Sequence, residues 1–139
     1  MSKKVIVELW PRTKLLSTVA GKTYFPRDRQ RISKLLGQAD EVHFHARVYA
    51  RDASVSVDIA VFHGCLGDDN PADGLRQFSL TNSGQSPTMP WSSANMSTLP
   101  DDGTFYVTPK MGLVDVMLKA DGANGFIEIE VWATAIFQS

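Results

Sequence analysis

Cysteine is almost missing from this chain. Cys65 stands alone among 139 residues, so no disulfide forms within the molecule and no cage of thiolates holds a metal. An excess of charge of either sign is missing too: 14 basic side chains against 15 acidic ones leave a formal net charge of -1. No overall field therefore draws the chain toward nucleic acid or an anionic membrane. The one basic cluster, Arg27, Arg29, Arg31 and Lys34, is interrupted by Asp28 and has no aromatics between its charges, unlike a channel for single strands. Long apolar runs are absent, and the stretch after Lys3 and Lys4 is too short for a signal peptide. The expectation is a soluble chain that folds in the cytoplasm, with neither nucleic acid nor membrane as a partner. Motifs of catalysis are absent as well. No serine sits in a Gly-x-Ser-x-Gly elbow, no glycine-rich phosphate loop occurs, and Glu128 and Glu130 share a strand face without an acid-base partner. Neither an enzyme nor a resident cofactor is expected.

What is present is alternation. Val5, Val7 and Leu9 alternate with Lys4, Ile6 and Glu8, the period of a strand with one buried face, and Pro11 is expected to stop it. Leu15 to Ala20 and Lys22 to Phe25 are further β-biased pieces. Ile32, Leu35 and Leu36 recur at three and four residues with Gly37 behind them, which allows one short helix near 28–36, with Asp28 as a possible cap. Val42, Phe44, Ala46 and Val48 then alternate with His43, His45, Arg47 and Tyr49. Past Arg51-Asp52-Ala53, Val55, Val57, Ile59 and Val61 repeat the pattern. So short a connection predicts an antiparallel hairpin.

From Gly64 to Gly74 glycine, proline and acidic residues make a loop, in which Asp68, Asp69, Asn70 and Asp73 supply oxygen donors without the EF-hand order. Leu75 to Thr81 reads as a strand, and Asn82 to Pro100 as a long irregular loop carrying Met89, Trp91 and Met96. After a turn at Asp101-Asp102-Gly103, Thr104 to Thr108 and Gly112 to Ala120 read as strands. The turn Asp121-Gly122-Ala123-Asn124-Gly125 leads into the longest one, Phe126 to Phe137. Seven to nine strands with little helix predict an all-β, two-sheet antiparallel β-sandwich over 1–139, jelly-roll-like, with the immunoglobulin-like arrangement also compatible with this spacing.

Three resemblances bear on function. Gly37 followed after five residues by His43-Phe44-His45 resembles the opening half of the cupin metal motif, although Tyr49 and Ala50 stand where its glutamate belongs. A hairpin would bring His63 near His43, which makes His43, His45 and His63 the metal candidates in a chain where no metal is expected. The pattern of short strands with a long proline-bearing loop resembles the jelly-roll-like decoration and minor capsid proteins of tailed phages. That resemblance implies a structural subunit of a virion, a homo-oligomer that binds a protein surface through Trp91, Met89, Met96, Trp132 and Trp10. The pattern is also similar to carbohydrate-binding modules, for which Trp91, Tyr106 and Trp132 would be the platform.

Overall fold

The computed structural model describes residues 2–17, 22–63, 88–96, 98–110, 112–121 and 125–138. The Gly64–Gly74 loop, Cys65 and the predicted strand Leu75–Thr81 lie outside them. Among the described residues the chain forms eight strands, β1 (Lys3–Ser17), β2 (Lys22–Tyr24), β3 (Glu41–Arg51), β4 (Ser56–His63), β5 (Thr88–Ser92), β6 (Asp101–Val107), β7 (Val114–Asp121) and β8 (Gly125–Phe137), with one helix, α1 (Arg29–Gly37). They make two four-stranded sheets of order β1-β8-β3-β6 and β2-β7-β4-β5. Every pairing is antiparallel. First lies beside last, second beside seventh, third beside sixth and fourth beside fifth. That order is a single long antiparallel ribbon rolled up on itself, the jelly roll.

Alternation creates the core. Val42, Phe44, Ala46 and Val48 of β3 and Ile127, Ile129, Val131, Ala133 and Ala135 of β8 point inward from the first sheet. Val57, Ile59 and Val61 of β4 and Val114, Val116 and Leu118 of β7 meet them from the second. Each fully buried side chain of the larger kind contributes about 1.5–3 kcal/mol of transfer free energy. A smaller cluster of Ala60, Phe62 and Met117, with Phe25 packed against it, forms apart from the main core.

Four expectations are corrected by the structure. β3 and β4 do not pair; they belong to opposite sheets. Alternation reports that each strand has one apolar face, and two such faces bury each other across a sandwich as well as side by side. The corner between them is fixed by Asp52, whose backbone N–H donates to Phe126 O at 3.0 Å and whose Oδ2 accepts from Phe126 N at 2.9 Å. β1 does not stop at Pro11 but continues to Ser17. Proline is tolerated there because β1 is an edge strand, and its register shifts between Glu8 and Trp10 and again between Trp10 and Thr13. The segment read as an irregular loop contains β5, which places Trp91 opposite Ile59. Asp101-Asp102-Gly103 is the start of β6 rather than a turn before it.

The helix lies where the period predicts it. Asp28 holds the N-cap position in the left-handed region (φ 57°) without a side-chain capping bond, and its carboxylate lies 3.6 Å from Arg31 instead. What fixes α1 is β7: Arg29 Nη2 lies 2.6 Å from Asp115 Oδ2, Ser33 Oγ donates to Asp115 Oδ1 at 3.1 Å, and the Arg29 guanidinium sits 3.7 Å over the Phe25 ring.

Candidate functional site

The residues that alternate away from the core on β1, β8, β3 and β6 form one continuous outer face, and pairing arranges them in rows. One row runs Ile6, Thr134, His43, Tyr106; the next runs Glu8, Trp132, His45, Thr104. The His45 imidazole stacks on the Trp132 indole with centroids 4.1 Å apart, and His43 lies against Tyr106 at 5.7 Å. Ile6 is 75% exposed and Tyr106 64%. A shallow depression lies over His43, His45, Thr104, Tyr106, Trp132 and Thr134.

Charges surround this apolar and aromatic centre. Glu41 contacts His43, Asp102 lies 3.3 Å from His45 and 3.6 Å from Arg47, and Arg12 Nε donates to Glu128 at 3.0 Å. Tyr49 donates to Glu130 at 2.9 Å beneath Arg12, whose guanidinium lies 3.8 Å from the ring centroid. The bond to Glu130 raises the Tyr49 hydroxyl above its ordinary range, because ionisation would set two anions side by side. Ile6, Trp132 and Tyr106 thus stand among threonines, imidazoles and paired charges on one outer face.

Of the residues singled out in the sequence, Trp132 and Tyr106 stand on this face and His43 and His45 lean against them. Trp91 and Trp10 are buried at 9% and 5% exposure, so their rings are already occupied within the chain. Met96 packs partly buried against the core, and its carbonyl accepts from Arg51 at 3.3 Å. Met89 lies in β5, with its side chain outside the described set. The three imidazoles do not converge: His43 and His45 face outward on β3, while His63 ends β4 in the other sheet. Among the described residues no group of three His, Cys, Asp or Glu side chains gathers as a metal would require.

Sequence reasoning missed Ile6. Its signal was there, an isoleucine on the parity of Lys4 and Glu8.

Burial, and secondarily the charge of Lys110, holds His63 below the usual imidazole range. Unfolding restores the ordinary value near 6.5. In the window just below it the unfolded chain binds more protons than the folded one, so stability falls as pH is lowered through about 6.5. Urea titrations of the wild type and His63→Gln between pH 7.5 and 5.5 check this: the variant is expected to show the shallower loss.

No known family model matches the chain, and no curated protein matches it.

Proposed function

We propose that this chain is a non-enzymatic assembly protein, a decoration or minor subunit of a virion, which docks on a protein surface through the outer face of its first sheet. The observation that carries the reading is exposed Ile6 and Tyr106 in one row of this face, with half-buried Trp132 in the next, among paired charges. Anchors of this kind dominate protein interfaces, where aromatic residues in a desolvated centre supply most of the binding energy. The jelly roll is compatible, since virus shells use it; so do lectins, and fold alone decides nothing.

A carbohydrate-binding reading is favoured by one feature, the aromatic surface of Trp132 and Tyr106. Against it, the stacked imidazoles of His45 and His43 each cover one ring face that a sugar would need, and Ile6 offers a sugar nothing.

Sedimentation of particles from the chain's own source tests the proposal. The chain is expected to travel with them at a fixed copy number. Trp132→Ala with Tyr106→Ala should weaken attachment by about 30-fold or more while leaving the unfolding midpoint within a few degrees. A chain found only free, with tryptophan fluorescence that shifts on adding glycans, would replace this reading with the second.

A further inference from the structure

β1 is the outermost strand of its sheet, and among the described residues no strand pairs with its far side. Such an edge presents a row of unpaired N–H and C=O groups, which proteins blunt with proline, lysine or bulges. Here the proline and both register shifts fall from Glu8 onward, whereas Lys3 to Glu8 run in unbroken register with β8 and carry only Lys3 and Lys4 against pairing. The regular half of the edge is also where exposed Ile6 stands. Beside it lies a groove of about 780 Å³, lined by apolar side chains such as Val5, Val7 and Ile32 and by the charged Arg27, Asp28 and Arg31. A backbone edge with a groove of mixed apolar and charged lining alongside is an arrangement that accepts an added strand.

We propose that the added strand is β1 of a second copy, running antiparallel about a twofold axis at Ile6. This deepens the assembly reading and rests on it. The segment is self-complementary in that register. Lys4 faces the partner's Glu8, Glu8 faces the partner's Lys4, and Ile6 meets the partner's Ile6 between the two ion pairs. Val5 and the partner's Val7 fall on the inward side, toward the groove. The alternative registers are worse. A one-residue slip sets outward side chains opposite inward ones. A two-residue slip loses both ion pairs, putting Lys4 against the partner's Ile6, or Ile6 against the partner's Glu8. Pairing at Ile6 joins two four-stranded sheets into one and merges two docking faces across the Ile6 seam.

Sedimentation velocity of the full chain is the test, with thermal unfolding recorded for every variant. The wild type is expected to sediment as a dimer of the 15.3 kDa chain, or as an even-numbered oligomer built from it. Lys4→Glu alone, or Glu8→Lys alone, sets like charges opposite each other twice per dimer and should weaken association by about 10- to 100-fold. The double variant Lys4→Glu with Glu8→Lys restores opposite charges and should return the affinity to within about threefold of wild type. Four outcomes overturn the pairing: a monomeric wild type, single variants that associate unchanged, a double variant that stays dissociated, or an unrelated peptide as the occupant of the edge. The particle test above reads out independently at Trp132 and Tyr106, so failure of the edge pairing and failure of the assembly reading are separable.

Discussion

Trp91→Ala is expected to lower the unfolding free energy by about 3–5 kcal/mol, a large share of the roughly 5–15 kcal/mol that holds an ordinary domain together. The indole is 9% exposed and belongs to the main core. It stands on β5, at one edge of the second sheet, and reaches across to β6, at the edge of the first. There it packs so closely on Gly103 that a Cβ at that position would collide with the indole Nε1. The ring therefore closes the sandwich on the side away from β1. Removing it leaves a cavity between two edge strands, where the neighbouring side chains collapse only partly. Gly103→Ala probes the same contact from the other side and should cost about 1–3 kcal/mol, because Trp91 must leave its place. Urea unfolding checks both. Were Trp91 a docking anchor, as the Asn82 to Pro100 segment suggests in sequence, Trp91→Ala would leave stability unchanged and abolish attachment.

A comparable loss is expected at the other side of the molecule. Arg29→Met should cost about 3–5 kcal/mol, since it strips the partner from a carboxylate that has no exposure. Asp115 sits on β7 with its side chain fully buried, bonded by Arg29 through Nε and Nη2 and by Ser33. Arg29 is itself 22% exposed, so Asp115→Leu is expected to cost less, the guanidinium having water within reach. Replacing all three polar groups, by Arg29→Met, Asp115→Leu and Ser33→Ala together, should recover part of the loss, because the buried carboxylate is removed together with its Arg29 and Ser33 partners. Denaturant titrations of the three variants measure this as non-additivity.

These two sites show what could be read in advance. Strict alternation in Glu41–Arg51 and Gly125–Phe137 identified the strands and their inner faces, because period two is a local property. Sheet membership is not local: β3 and β4 present the same alternation whether they pair or face each other. β5 was hidden since Thr88-Met89-Pro90-Trp91-Ser92 has no clean alternation, and it forms because β4 offers it an edge. At the candidate site, parity alone put His43, His45 and Trp132 on the outer faces of their strands. That β8 and β6 flank β3, and so bring Trp132 and Tyr106 against the imidazoles, depends on long-range topology. Trp91 misled because a tryptophan near prolines reads as a loop anchor, while the ring is buried in the main core and packs on Gly103, a dozen residues further on.

The most direct test of the docking face is particle sedimentation of the chain from its own source, wild type beside Trp132→Ala with Tyr106→Ala. Wild-type chain travelling with particles at fixed copy number, and a double variant that stays folded but remains free, is the predicted result. Equal attachment of both, or no attachment of either, would contradict it.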